Sequence, residues 1–149
     1  MSTPQKRKGD KAERDLVAYL NANGFPQARR TKAGGEKDLG DLSGVVDRDG
    51  DLWCVQVADR KWRSHGELLA KAATVPDQAE ELGAPFWCMV AKRPGCSDPG
   101  DWFVWLQAWQ LAYLLRSAAL TGDGAVDHAC ITVRTWVALT GLDTAEVAA

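Results

Sequence analysis

Apolar positions along this chain change period several times, and each change marks an element. Leu16, Val17 and Leu20 recur at helical spacing within residues 10–23. Asp10 can cap that helix, with Glu13 three residues on in a capping-box-like arrangement, and Gly24 stops it. Residues 25–31 predict a short first strand and residues 32–40 a loop rich in Gly and charge. Residues 41–46 predict a second strand, Asp47-Arg48-Asp49-Gly50 a hairpin turn, and residues 51–58 a strand that is apolar on both faces and therefore central. A helix follows over 65–82, kinked or broken at Pro76. Beyond it lie a buried strand (85–91), a turn-rich loop (92–101), a strand (102–107) and a helix (108–118). Residues 119–149 are rich in Ala, with one strand-like run over 130–139, and the pattern does not place them. The order α-β-β-β-α-β-β-α predicts an α/β fold, a mixed central β-sheet flanked by helices. One domain is expected, divided into a flexible basic N-terminus (1–9), a core (10–118) and a C-terminal extension (119–149).

Composition narrows the class. With 149 residues, 46% hydrophobic and 26% charged, the chain has the proportions of a soluble globular protein and enough length to bury a core without disulfides. No apolar run approaches the ~20 residues of a membrane span. Lys6-Arg7-Lys8 is basic, but no apolar stretch follows it, so a secretory signal is not expected and a cytoplasmic location is. Cys54, Cys88, Cys96 and Cys130 form no CxxC pair, which predicts reduced thiols and no zinc site. The net charge of -2 hides an asymmetry: residues 1–71 hold 14 Lys/Arg against 11 Asp/Glu, residues 72–149 hold 4 against 9. A basic leading half on an acidic chain suggests a local anionic partner, or simply a solvated N-terminus.

Three features then recur in one order. Glu13 lies on the first helix, Gly40-Asp41 opens a strand after the Gly-rich loop, and Val55-Gln56-Val57-Ala58 runs into Arg60-Lys61-Trp62-Arg63. On these residues the chain resembles the PD-(D/E)XK nuclease superfamily, whose pattern is a helical Glu, an Asp after a Gly, and (D/E)-x-K on the next strand. Ala12-Glu13-Arg14, Gly40-Asp41-Leu42-Ser43-Gly44, and Val90-Ala91-Lys92-Arg93-Pro94-Gly95 with Trp102 resemble, more narrowly, the small Holliday junction resolvases of phages that infect actinobacteria. The resemblance spans residues 5–116 and implies a restriction-endonuclease-like core (αβββαβ). It also implies a Mg²⁺-dependent endonuclease, with Mn²⁺ substituting, that cuts four-way junctions or other branched DNA through metal-activated water. Cutting two opposed strands implies a two-fold homodimer. The alternatives are another repair or restriction-type nuclease of this fold, or a catalytically weak DNA-binding protein that retains it.

The implied roles are specific. Asp41 would be the main carboxylate ligand of the metal, Gln56 would add a second oxygen, and Glu13 would bind directly or through water. Two positions depart from the pattern: Gln56 stands where Glu or Asp is usual, and Ala58 stands where a Lys orients the water. Lys61 is taken as the catalytic replacement, with Lys71 and Lys92 as alternatives. Plainer roles stand beside these: Glu13 as a capping or surface carboxylate, Asp41 as a turn residue, Gln56 as a core amide held by backbone. Asp38 reads as a solvated loop charge or an outer helper, Gln78 as a helix residue in reach of the metal or not, and His65 and His128 as lone histidines. DNA phosphates would meet Lys6, Arg7, Lys8, Arg29, Arg30, Lys32 and Lys37, with Arg60, Lys61 and Arg63 holding the backbone beside the metal. Trp62 would stack on a base or pack against the fold. Trp53, Trp87, Trp102, Trp105, Trp109 and Trp136 are expected in the core or at a dimer interface.

Overall fold

The computed structural model describes residues 3–32, 39–115 and 128–142. In chain order the elements are α1 (Pro4–Ala22), β1 (Arg29–Arg30), β2 (Leu42–Ser43), β3 (Trp53–Ala58), α2 (His65–Ala72), α3 (Val75–Leu82), β4 (Phe86–Ala91), β5 (Phe103–Gln107), α4 (Ala108–Leu114), β6 (His128–Thr132) and α5 (Val133–Thr140). A 3-10 turn at Pro99–Asp101 leads into β5. The strands form one sheet in the order β1-β2-β3-β4-β5-β6, in which only β3 and β4 are parallel. This is the expected mixed sheet flanked by helices, an arrangement broadly compatible with a restriction-endonuclease-like core.

Alternation along the strands sorts the core into two layers. Trp53 and Val55 of β3, Phe86, Cys88 and Val90 of β4, and Val104 and Leu106 of β5 face Ala12, Leu16 and Leu20 of α1 and Val133 and Trp136 of α5. Cys54 and Ala58 of β3, with Trp87 and Met89 of β4, face Leu68 and Ala72 of α2 and Val75 and Ala79 of α3. Each large apolar side chain removed from water in this way contributes about 1.5–3 kcal/mol. Trp53, Phe86, Phe25 and Trp136 meet ring to ring, with centroids 5.0 to 5.4 Å apart, and they tie the C-terminal helix into the first layer.

Several element boundaries differ from the sequence expectation. The first helix starts at Pro4, capped by the Thr3 hydroxyl, so residues 4–9 are helical and Asp10 is not the cap. The first two strands shrink to two residues each, because Gly44, at φ +69°, turns the chain where its α-carbon lies against the Gln27 carbonyl. The helix expected over 65–82 is two helices. Pro76 sits in the first turn of the second, where a missing N–H costs nothing. The strand-like run at 130–139 splits into β6 and α5, because Thr132 accepts from the Thr135 N–H and starts a helix there. The helix expected over 108–118 ends at Leu114, with Leu115 as its C-cap, and residues 116–127 and 143–149 lie outside the described residues. All four cysteines are free. No described helix is long and apolar enough to cross a membrane.

Candidate functional site

Residues paired directly across neighbouring strands share a face of the sheet. The β1–β2 pairing of Arg30 with Leu42 continues as a bond from the Thr31 N–H to the Asp41 carbonyl (2.9 Å), and the Asp41 N–H donates to the Val55 carbonyl (2.9 Å). Leu42 lies opposite Val55, so Asp41 lies opposite Gln56, which in turn pairs with Met89 and then Trp105 and Cys130. Thr31, Asp41 and Gln56 therefore form the polar end of one transverse row, on the face covered by α2 and α3.

Within this row Asp41 Oδ2 accepts from the Gln56 side-chain amide and from the Val57 N–H at 2.7 Å. Gln56 is only 8% exposed, and its Oε1 meets no hydrogen-bond donor. The amide thus offers its N–H₂ to the carboxylate, the reverse of two oxygens converging on a cation. Thr31 Oγ1 is likewise buried with no partner. Sequence reasoning passed over Thr31. Its signal was positional, two residues beyond Arg29 on a strand that the polar pattern only hinted at.

Glu13 belongs elsewhere. Arg30 pairs with Leu42 and so shares its face, the one α1 covers. There the Arg30 guanidinium spans two carboxylates of α1, Nε to Glu13 (2.6 Å) and Nη2 to Asp10 (2.6 Å). The bond from Glu13 leads in pushing the Arg30 pKa above its already high ordinary value. Glu13 and Asp41 thus serve opposite faces of the sheet. Among the described residues no three His, Cys, Asp or Glu side chains come close enough to hold a metal ion. This finding corrects the expectation of a Mg²⁺ or Mn²⁺ centre on Glu13, Asp41 and Gln56, and with it that of a metal-dependent endonuclease or Holliday junction resolvase. The residues present do not fit the group.

The replacement lysine finds no site either. Lys61 is exposed beyond the end of β3. Lys92 pairs with Asp59 at 3.5 Å and lies over the Trp102 ring at 5.6 Å. Lys71 is half-buried in the last turn of α2, and Gln78 is buried on α3.

Strand direction gathers the cations at one end. β1, β3, β4 and β6 all point the same way, so their carboxyl ends share an edge. Lys32 follows β1, Arg60, Lys61 and Arg63 follow β3, and Lys92 and Arg93 follow β4. The Asn21 side chain bonds to the Ala28 carbonyl (2.9 Å) while Arg30 reaches Asp10, so α1 runs antiparallel to β1 and brings Lys6, Arg7 and Lys8 to the same end. In open α/β sheets, ligands bind outside the carboxyl ends of the parallel strands. Part of this charge is spent inside the fold. Arg30 is committed to Glu13 and Asp10. Arg60 pairs with Glu67, which also accepts from the Arg63 N–H (2.7 Å), and stacks on Trp62 at 4.5 Å. Lys6, Lys8, Lys32 and Lys61 are exposed, and among the described residues none pairs with a carboxylate. Arg29 is exposed and its guanidinium lies 3.4 Å from the Gln27 carbonyl. Lys37 and Asp38 lie outside the described residues. Comparison with protein-family models, with curated proteins and with solved structures finds no match to this chain.

Proposed function

We propose that this protein binds DNA through the basic carboxyl-end edge of its sheet, on a nuclease-like fold that lacks the machinery for metal-dependent cleavage. The observation that carries the reading is that Lys6, Lys8, Lys32 and Lys61, drawn from three separate stretches of an acidic chain, collect on one edge without carboxylate partners among the described residues. Charge of that kind costs self-repulsion in the free protein and is relieved by a polyanion. Spaced lysines engage phosphates as point charges, which gives affinity without reading sequence. The Arg60–Trp62 stack at the end of β3 adds a planar surface for an unpaired base.

The test is fluorescence anisotropy with labelled duplex and four-way-junction DNA in EDTA, over a salt series. Four phosphate contacts give a slope of about -3.6 in log K against log salt, or roughly 150-fold weaker binding between 50 and 200 mM. The Lys6→Gln/Lys8→Gln/Lys32→Gln variant is expected to flatten that slope by about 2.7. Binding that is absent, or indifferent to salt and to these substitutions, rejects the reading. Parallel incubation with Mg²⁺ is expected to leave both DNAs uncut.

A further inference from the structure

The two edges of the sheet are unequally protected. β1 ends it with Arg29 and Arg30, charges that discourage another strand from pairing. β6 ends it with His128-Ala129-Cys130-Ile131-Thr132, five residues with no Lys, Arg, Asp, Glu or Pro. Its only strand neighbour among the described residues is β5. The Val133 N–H donates to the Trp102 carbonyl (3.0 Å), which fixes the parity of the strand. Ala129 and Ile131 turn their backbone groups toward β5, so His128, Cys130 and Thr132 turn theirs to the open side. Beside this edge α4 packs on β5 and β6 and leaves Trp109, Tyr113 and Leu115 43%, 55% and 50% exposed.

We infer that β6 is a self-association edge that pairs antiparallel with β6 of a second copy of this chain, about a two-fold axis at Cys130. The outward groups sit at alternate residues placed symmetrically about the middle of the strand. Antiparallel pairing therefore sets Cys130 opposite Cys130, and His128 opposite Thr132 in both directions. The two Cys130 residues exchange two backbone hydrogen bonds and each Thr132 N–H meets the facing His128 carbonyl, giving four in all, since the Thr132 carbonyl already accepts the first bond of α5. A second copy fits better than an unrelated strand because this register is self-complementary, so one surface supplies both halves of the interface. Exposed Cys130 meets its copy across a hydrogen-bonded pair with about 5.5 Å between α-carbons. The inference does not depend on DNA binding.

The full chain is measured by analytical ultracentrifugation from 1 to 200 μM, with Cys130→Lys and Cys130→Pro beside it. Proline at 130 removes an outward N–H and spares the bonds to β5, while two lysines face to face repel. A wild-type dimer is expected, and Cys130→Lys should weaken it at least tenfold at unchanged circular dichroism. Should Cys130→Pro fail to fold, the lysine variant decides alone. A short bismaleimide is expected to link two copies through Cys130, with the link lost in Cys130→Ser. A wild-type monomer across the range, or a dimer that Cys130→Lys leaves intact, overturns the inference.

Discussion

Replacing Asp41 by Ala separates a hydrogen-bonded core pair from a metal site by the sign of one number. In the structure, Asp41 Oδ2 is the acceptor for two donors, the Gln56 amide and the Val57 N–H. Gln56 already lacks a partner for Oε1. Asp41→Ala would leave its whole amide unsatisfied at 8% exposure, together with one backbone N–H. A stranded buried donor costs about 1–3 kcal/mol. Asp41 itself is half-buried, so water entering the space it vacates offsets part of the loss. The expected net destabilisation is about 2–4 kcal/mol, or roughly 5–12 °C in Tm for a domain of this size. A carboxylate kept for metal binding behaves oppositely, since such residues are held at a cost to stability and their removal is neutral or stabilising. Urea unfolding in EDTA, followed by tryptophan fluorescence and circular dichroism, measures the difference at constant m. An Asp41→Ala midpoint equal to or above wild type would falsify the hydrogen-bonded reading. So would a wild-type midpoint that Mg²⁺ raises and Asp41→Ala abolishes.

Glu13→Gln and Arg30→Met, singly and together, should give a coupling of about 0.5–1 kcal/mol, because the pair is partly exposed; additive losses would mean that the ion pair contributes nothing. That coupling should be the same with Mg²⁺ or EDTA. Trp136→Ala should cost about 3–5 kcal/mol, since the indole is fully buried against Phe25 and Trp53, and a loss under 1 kcal/mol would place α5 outside the cooperative core. Gly44→Ala is expected to destabilise by at least about 1 kcal/mol, combining positive φ with a Cβ driven into the Gln27 carbonyl; an unchanged thermal midpoint would show that the turn relaxes freely.

Much of the fold was legible because the central strands are the most apolar segments of the chain. Trp53–Ala58 and Phe86–Ala91 are buried on both faces, and their shortness and their β-branched, aromatic and thiol side chains favour strands. The C-terminal segment was obscure for a related reason. Cys130 to Leu139 is mostly apolar, broken only by Thr132, Arg134 and Thr135, and a short apolar run does not distinguish a strand from a buried helix. What divides it is the Thr132 cap, whose signal is one hydroxyl followed three residues later by an N–H that needs an acceptor. The extra turns of α1 were missed because Lys6-Arg7-Lys8 carries no apolar stripe, while Thr3-Pro4, a cap with Pro in the first turn, pointed to a helix start.

The site misled because order along a chain says nothing of which side of a sheet a helix covers. Glu13, Asp41 and Gln56 follow one another at the spacing of a familiar catalytic set, and two of the three do meet. Convergence of the third needs α1 to reach the face on which even-numbered residues of β3 project. Both faces of β3 are apolar, with Trp53, Val55 and Val57 on one and Cys54 and Ala58 on the other, so its pattern assigned neither face to a helix. Arg30 was the clue available. A cation two strands from Gln56, in register with Leu42, needs a carboxylate on its own face, and Asp10 and Glu13 are one turn apart on α1. Once Glu13 neutralises Arg30, the chemistry left at Asp41 is set by its neighbour. A Glu at position 56 would repel Asp41 until a cation bridged them, whereas Gln56 supplies the bridging hydrogens itself, and the pair closes without a metal.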